Sequence, residues 1–492
     1  MKNILSYLFL MLALAACTSK PEDALQVKTL PKIYPDYFNV TVPAEIAPLS
    51  FNYTGGDYSE LYAEVKGSRG GSIESSGDYI NFDIDEWHSL LSKNKGGSLS
   101  VTLYVKNGGD WTQYKDFTIN VSTYPLDEWG LTYRRIAPGY EVYSRMGIFQ
   151  RNLSNFDETA IIQNTQAGGQ CINCHTANRT NPTEFTFHVR GKKGATMVQM
   201  DGKRVWLNTQ IDTVRGIGSC VYPYWHPTGK YIAYSTNTTR QAFHVIPSER
   251  IEVFDLASDV MVYNTATNQV LLSPQLMTKD FSETYPVFSP DGRTLYFCTC
   301  KTQEYPKAFK QTKYNLCKIA FDPDKGTFGN KVDTIVDAVS MNKSIAFPRP
   351  SYDGKYIMFT MADYGCFPIW HKEADLWMLN LKTGKIAPVK EVNSNNTESF
   401  HNWNVNSHWF VFSSRRGDGL YTRLYLASID DKGRVTKPFL LPQENPWEYY
   451  EKSIYSYNIP DFTKTPVDFD VRSATNEIMS DKRTIIKEKD VK

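Results

Sequence analysis

The residues with the clearest chemical potential form one short motif, Cys171-Ile172-Asn173-Cys174-His175. This C-x-x-C-H spacing is that of covalent c-type haem attachment, in which two thiols bind the porphyrin and the histidine ligates iron. With eight cysteines and eight histidines in the chain, composition alone gives roughly 0.002 such matches. The motif therefore predicts a haem c held by Cys171 and Cys174, with His175 as the proximal ligand of the iron.

A strand predicted just after the motif supplies candidates for the other haem contacts. Its alternation places His188 and Arg190 on one face, so His188 is a candidate distal ligand and Arg190 a candidate partner of a propionate. Met197 and Met200 are three residues apart and face opposite ways on a strand, so at most one of them could ligate the iron. Met146 is a further candidate. A hydrogen-bonded histidine and core methionines are the simpler interpretation of these residues.

Two further chemistries would use the same pair of cysteines. A disulfide between Cys171 and Cys174 would suit an oxidising compartment, and a metal or redox thiol site would use the same spacing. A structural zinc site needs four ligands, and the sequence contains no second C-x-x-C. Haem, disulfide and thiol site therefore stay open at this point.

Composition narrows the class of protein that carries the motif. The 492 residues contain 54 Lys and Arg against 53 Asp and Glu, a net charge of +1, which argues against a nucleic-acid partner. A mean hydropathy of −0.43 excludes a protein with many membrane spans. Aromatic residues make up 14% of the chain, with 25 prolines and 30 glycines, and this favours an all-β fold with many turns.

The N-terminus has the features of a secretion signal. An apolar stretch at residues 4–14 ends in Leu14-Ala15-Ala16-Cys17, which resembles the lipobox of bacterial lipoproteins. The resemblance implies that residues 1–16 are a signal peptide and that Cys17 is lipidated. The protein would then be anchored in the outer membrane by its lipid, on the periplasmic face or the cell surface, with residues 17–36 as a tether.

Two β domains are expected after the tether. Short alternating runs with glycine-rich turns over residues 37–124 predict an immunoglobulin-like β-sandwich. Beyond it, residues 223–234, 286–297 and 348–359 repeat one pattern, and 403–412 is a degenerate copy. A second hairpin follows each copy, and four strands per repeat is the size of one propeller blade.

The predicted propeller spans residues 125–462. Four blades are visible and the flanking segments must supply the others, so five to seven blades fit the length and six fits best. The C-x-x-C-H motif is expected in an insertion at residues 168–178. Residues 463–492 are charged and lack aromatic side chains after Phe469, which predicts a loose C-terminal tail.

The repeat, best preserved in Pro286-Val287-Phe288-Ser289-Pro290-Asp291-Gly292, resembles the WD40-like repeats of TolB-like β-propellers. Residues 125–462 as a whole resemble a group of TolB-like propeller lipoproteins of Gram-negative bacteria, in which a C-x-x-C-H precedes the first clear blade. The segments Phe187-His188-Val189-Arg190-Gly191 and 456–462 carry this likeness. It implies an envelope protein with a cytochrome-c-like motif.

Two functions are expected from these observations. The first is a lipid-anchored propeller with a haem c, for electron transfer or small-ligand sensing. The alternative is a non-haem binding or scaffold lipoprotein of an outer-membrane complex, with a Cys171–Cys174 disulfide and a protein, peptide or glycan as partner. The sequence lacks G-x-S-x-G, H-E-x-x-H, P-loop and dinucleotide motifs, so no hydrolytic or nucleotide-dependent enzyme is predicted.

Overall fold

The computed structural model describes residues 20–137, 145–208, 220–243, 250–480 and 482–488. The predicted signal peptide and Cys17 lie outside these ranges. Within them, no helix is both long and apolar enough to cross a membrane. The chain forms two compact units, Met1–Thr123 with Pro442–Lys452 and Tyr124–Leu441 with Ser453–Lys492.

The N-terminal unit contains a seven-stranded sheet, a two-stranded sheet and one helix. The bounds of its elements are β1 Leu25–Gln26, β2 Ile33–Tyr34, β3 Thr41–Val42, β4 Asn52–Tyr53, β5 Glu60–Gly67, β6 Ser72–Gly77, α1 Ile84–Lys93, β7 Ser98–Asn107, β8 Asp110–Gln113 and β9 Phe117–Val121. The large sheet has β5, β7 and β8 at its centre, and β1 and β3 join it in parallel. Helix α1 begins after Asp83, whose carboxylate accepts from the N–H groups of the first turn, and the helix buries Trp87.

This arrangement revises two expectations. Strands β1 and β2 pair with β8 and β4, so the predicted tether at 17–36 is already part of the folded unit from residue 25. The described strands give one large mixed sheet and a small one, and the two facing antiparallel sheets of an immunoglobulin-like sandwich are not shown.

The second unit is a β-propeller, and its described residues form six sheets of at least four strands. The prediction of an all-β, six-bladed propeller is confirmed. Blades 1 to 6 follow the chain. The first four are blade 1 with β10 Gly130–Ile136, β11 Met146–Asn152 and β12 Glu158–Gln163, blade 2 with β13 Cys171–Asn178, β14 Asn181–Arg190, β15 Ala195–Met200 and β16 Lys203–Asn208, blade 3 with β17 Cys220–Trp225, β18 Tyr231–Phe243, β19 Ile251–Asn264 and β20 Gln269–Leu271, and blade 4 with β21 Phe281–Phe288, β22 Thr294–Lys301, β23 Asn315–Asp322 and β24 Thr327–Val336.

The remaining strands complete and close the ring. They are blade 5 with β25 Ser344–Pro350, β26 Tyr356–Ala362, β27 Asp375–Asn380 and β28 Ile386–Pro388, blade 6 with β29 Glu398–Trp403, β30 Trp409–Ser414, β31 Arg423–Ser428 and β32 Phe439–Leu440, and the C-terminal strand β33 Ser456–Thr463. Strand β33 pairs with β10 and becomes the innermost strand of blade 1. Residues from both ends of the propeller thus share one sheet, which closes the ring.

Local sequence explains the repeated hairpins. Gly292 adopts φ +70° in the turn after β21, and Ser407 adopts φ +62° at the matching place in blade 6. Asp291 fixes the turn, because its carboxylate accepts from Ser289 Oγ and from the Arg293 N–H. The Asp-Gly pair therefore lies between the first two strands of its blade, as the repeat predicts.

The prediction of a loose C-terminal tail is wrong. Helix α2, Val471–Met479, buries Ala474 and Ile478 in the apolar cluster shared by blades 1 and 2. Strands β34 Thr484–Ile485 and β35 Lys487–Glu488 then extend the outer edges of blades 2 and 3 in parallel. The described lysines of this segment are exposed, and a few apolar residues fasten it to the propeller.

Candidate functional site

Each innermost strand of the propeller carries one bulge at the same height. The bulged residues have φ between +45° and +56° and are Ile459, Cys174, Tyr222, Tyr285, Phe347 and Phe400 in blades 1 to 6. The next residue is proline in four blades and histidine in two, namely Pro460, His175, Pro223, Pro286, Pro348 and His401. The ladder register shifts at each of these places. Cys174-His175 is therefore one copy of a six-fold structural repeat.

The bulged residues form a layer across the central channel. The rings of Tyr222 and Tyr285 lie 4.5 Å apart, those of Tyr285 and Phe347 4.8 Å, and those of Phe347 and Phe400 4.4 Å. Ile459 packs against the same apolar cluster. We call this set of six residues the central layer. Tyr222 of this layer lines an upper cavity, together with residues such as Asn173 and Asn458 that precede the bulges. Phe347, Phe400 and Ile459 line a lower cavity, together with residues that follow the bulges.

The upper cavity has a volume of about 130 Å³ and contains three guanidinium groups. Arg134 comes from blade 1, Arg190 from blade 2 and Arg415 from the loop after β30 in blade 6. No aspartate or glutamate is among the described residues that line it. Three cations around a small cavity without a carboxylate make a site that favours an anion.

Of these three arginines, Arg134 has a buried donor that no described residue satisfies. Its side chain is 7% exposed, and its Nε has no hydrogen-bond partner among the described residues. Burial lowers the pKa of Arg134, and the neighbouring Arg190 lowers it further. A buried cation without a counter-charge is costly, and an anion in this cavity would reduce that cost.

Arg415 is held in place by its surroundings. Its Nε donates to the Ile369 carbonyl at 2.8 Å, its Nη1 donates to the Leu420 carbonyl, and its guanidinium lies 3.2 Å from the centre of the Trp370 ring. Burial lowers the pKa of Arg415 to about 9. A guanidinium has five N–H donors, so this fixed group retains donors for a ligand.

The lower cavity is different in size and chemistry. It measures about 10 Å³, room for about one water molecule. Asp461 fills its centre: one carboxylate oxygen accepts from Thr176 Oγ1 and from the Ala177 N–H, both at 2.9 Å, and the other accepts from Asn402 Nδ2 at 2.6 Å. Because these donors belong to blades 2 and 6, Asp461 ties the closing strand to both neighbours. Burial raises the pKa of Asp461 to about 6.

Two histidines line the lower cavity beside Asp461. They are His175 and His401, and each is 2% exposed. Burial lowers the pKa of both to about 3. Their rings are therefore neutral at physiological pH.

The residues of the predicted haem site do not share one cavity. Cys171 lines the upper cavity, Cys174 belongs to the central layer and His175 lines the lower cavity. Covalent haem needs both thiols and the histidine around one volume. The residues present do not fit a haem in this fold. The motif is also no insertion at 168–178, because β13 is the innermost strand of blade 2.

The other predicted haem contacts are spread over blade 2 and its neighbour. His188 is buried and bonds Thr196 through Nδ1 at 2.9 Å, while Met197 and Met200 pack in different apolar clusters on opposite sides of the sheet. Met146 accepts from the Ile172 N–H through its sulfur at 3.4 Å. Of these candidates and Arg190, only Arg190 lines the upper cavity. No cluster of three His, Cys, Asp or Glu suited to a metal occurs among the described residues.

The cysteines of the described chain are free and buried, including Cys171 and Cys174, so the predicted disulfide between those two is not formed here. Sequence reasoning missed Arg134 and Arg415. Arg134 lies in β10 and Arg415 in the loop after β30, far apart along the chain, and only ring closure brings them together. No local pattern in the sequence marks this arrangement, because it joins residues from blades 1 and 6 at the two ends of the propeller.

Comparisons with known proteins add little beyond the architecture. No protein-family model matches the chain. The chain is 25% identical over 171 residues to dipeptidyl-peptidase 5 of Porphyromonas gingivalis, a match covering 34% of this chain and 20% of that protein. It thus spans about a fifth of the curated relative's length.

Solved structures with a similar fold include TolB from Acinetobacter baumannii, with a TM-score of 0.42 and 13% identity over 78% of this chain and 86% of TolB. Another is the β-propeller domain of the Trilobed protease from Pyrococcus furiosus, with a TM-score of 0.34 and 10% identity over 85% and 99% of the two chains. Likenesses at this level carry no functional argument, and the propeller assignment rests on the six sheets themselves.

Proposed function

We propose that this chain is a binding protein of the bacterial envelope that holds a small anion, or the anionic end of a larger ligand, in its upper cavity. The observation that carries the proposal is Arg134, a buried cation in a cavity whose described lining contains no carboxylate. Arg190 and Arg415 surround the same volume. Binding is favoured over electron transfer because Cys171 and His175 lie in separate cavities.

An anion titration tests this function. Trp370 lines the cavity, so its fluorescence should report occupancy when acetate, phosphate and sulfate are titrated into the purified protein. We expect a saturable response to at least one of these anions. Substitution Arg134→Met, which removes the charge and keeps an unbranched side chain, should weaken that affinity ~10-fold or more, since a charge-assisted hydrogen bond contributes ~1.5–3 kcal/mol. No saturable response, or equal affinity in the variant, would contradict the proposal.

The envelope part of the proposal is tested separately. Cys17 would carry the lipid that anchors the protein in the outer membrane, as the lipobox resemblance implies. Cells expressing the full chain should incorporate radiolabelled palmitate into the protein, and Cys17→Ser should abolish the label. Labelling that survives the substitution would overturn the anchor without affecting the anion site. A haem stain of the same protein in a denaturing gel, made with a competent haem-attachment system, should be negative.

A further inference from the structure

Two sets of residues with different chemistry line the upper cavity. Blades 6, 1 and 2 are neighbours in the ring and contribute the cations Arg415, Arg134 and Arg190. The described lining residues from blades 3 and 5 carry no charged side chain, and two of them, Ile369 and Trp370, contact Arg415 directly. The uncharged set from these two blades is Tyr222, Thr239, Gln241, Phe243, Ile251, Val253, Phe367, Ile369 and Trp370.

A long hairpin of blade 3 supplies most of these uncharged lining residues. Strands β18 and β19 have 13 and 14 residues, and their distal part, which we call the arm, pairs Phe243 with Ile251 and Gln241 with Val253. One face of the arm, with Ile251 and Val253, lines the cavity. The pairing is antiparallel and shifts register once, between Thr238 and Thr239, where the arm leaves the blade.

The opposite face fastens the arm to the next two blades. The Phe254 ring stacks on Tyr305 of blade 4 at 5.4 Å. Glu252 Oε2 lies 3.0 Å from His371 Nε2 in blade 5. From the same blade, Cys366 donates its thiol hydrogen to the Val253 carbonyl at 3.2 Å. These contacts hold the arm against blades 4 and 5.

The dimensions limit what this cavity can enclose. Its volume of about 130 Å³ is close to the ~150 Å³ of an engineered protein cavity that binds benzene. The enclosed part of a ligand is therefore about the size of one aromatic ring or one branched side chain.

Because cationic and apolar residues line the same cavity, we infer, resting on the proposed function, that the ligand is an amphipathic carboxylate. Its carboxylate contacts Arg134 and Arg415, and a benzene-sized apolar group attached to it packs against Ile251, Val253 and Phe367. The carboxylate could belong to a free organic acid or to the C-terminus of a peptide with an apolar last residue. Both sources present the same chemistry to the cavity.

Calorimetric titration of the full chain with paired probes tests this inference. Phenylacetate should bind ~30-fold more tightly than acetate, because burial of an aromatic side chain contributes ~1.5–3 kcal/mol. Benzyl alcohol, which has the ring without the charge, should bind at least ~10-fold more weakly than phenylacetate. N-acetylphenylalanine and its amide distinguish the sources: tight binding of the acid alone indicates a peptide C-terminus, whereas exclusion of both, with phenylacetate still bound, indicates a free acid.

Two variants test whether the apolar residues of the arm cause the preference for phenylacetate. Ile251→Thr makes this part of the lining polar and should reduce the preference for phenylacetate over acetate several-fold. Arg240→Gln is the matched control, because Arg240 lies on the arm but is exposed and does not line the cavity. Equal affinities for acetate and phenylacetate would overturn this inference and leave the proposed function standing. Failure of every anion to bind would overturn both.

Discussion

The two cavities on either side of the central layer show how one propeller axis serves two purposes. In the lower cavity, Asp461 has hydrogen-bond partners for both oxygens and the space left is about 10 Å³. In the upper cavity, Arg134 meets no carboxylate among the described lining residues and about 130 Å³ is left. A hydrogen-bonded buried carboxylate stabilises the fold, whereas a buried cation without a counter-charge costs stability and is compatible with a ligand. Asp461 is satisfied, although the ring nitrogens of His175 and His401 beside it have no hydrogen-bond partner among the described residues. Asp461 therefore closes the ring, and the upper cavity is the binding site in our proposal.

The largest effect is expected at the lower cavity. Asp461→Ala removes three hydrogen bonds and leaves buried donors from Thr176 and Asn402 without this acceptor. At ~1–3 kcal/mol for each unsatisfied group, the free energy of unfolding should fall by ~3–5 kcal/mol in a urea titration. Asp461→Asn keeps one acceptor oxygen and the same shape, so it should lose less. A loss below ~1 kcal/mol for the alanine variant would show that Asp461 does not close the ring.

The second effect concerns pH and the histidines of the lower cavity. The pKa of His401 is lowered to about 3 from ~6.5 in the unfolded chain. The unfolded state therefore binds a proton at a higher pH than the folded state does. The free energy of unfolding falls as pH drops below ~6.5. At pH 5 this costs ~2 kcal/mol for His401 alone. His401→Pro removes the titrating group and installs the residue found at this position in four blades.

The measurement for His401 is the free energy of unfolding at pH 7.5 and pH 5. The difference between the two values should be ~2 kcal/mol smaller in His401→Pro than in the wild type. An identical pH dependence in both proteins would contradict the burial of a neutral ring. Asp461 acts in the opposite direction, because its raised pKa of about 6 makes stability fall as pH rises through that value, and its contribution is common to both proteins.

The third effect is a change in stability at the upper cavity, and its sign is opposite to the loss expected at Asp461. Arg134→Met removes a buried cation from a lining without carboxylates, so the unliganded variant should be as stable as the wild type or more stable by ~1 kcal/mol, even though it binds anions more weakly. Thermal unfolding without added anion measures this. Destabilisation by more than ~2 kcal/mol would indicate that Arg134 is a structural residue with a protein partner.

The smallest effect is expected at Cys171. It lines the upper cavity as a free thiol, and burial raises its pKa, which disfavours thiolate chemistry. Cys171→Ser should change the free energy of unfolding by less than ~1 kcal/mol and leave the visible absorption spectrum unchanged. A coloured wild-type protein that loses its Soret band in this variant would restore the haem hypothesis.

The propeller could be predicted from the sequence better than the site, for physical reasons. Asp-Gly turns and alternating strands are local signals, so four blades could be recognised and six inferred. Cys174-His175 was interpreted as part of a haem motif. Its structural equivalence to Phe347-Pro348, the bulge of the innermost strand in blade 5, becomes visible only in the backbone. Residues 463–492 were predicted to be loose because the apolar residues that pack them, such as Ala474 and Ile478 in α2, are too few to form a recognisable pattern. Arg134 and Arg415 come together only when β33 closes the ring, a contact that no local pattern encodes.

The most direct test is a crystal structure of the full chain with 4-bromophenylacetate, with the bromine located by its anomalous scattering. The account predicts a bromine peak in the upper cavity against Ile251 and Phe367, with the carboxylate within hydrogen-bond distance of Arg134. An upper cavity without ligand at a saturating concentration, or a ligand bound only elsewhere on the protein, would contradict it.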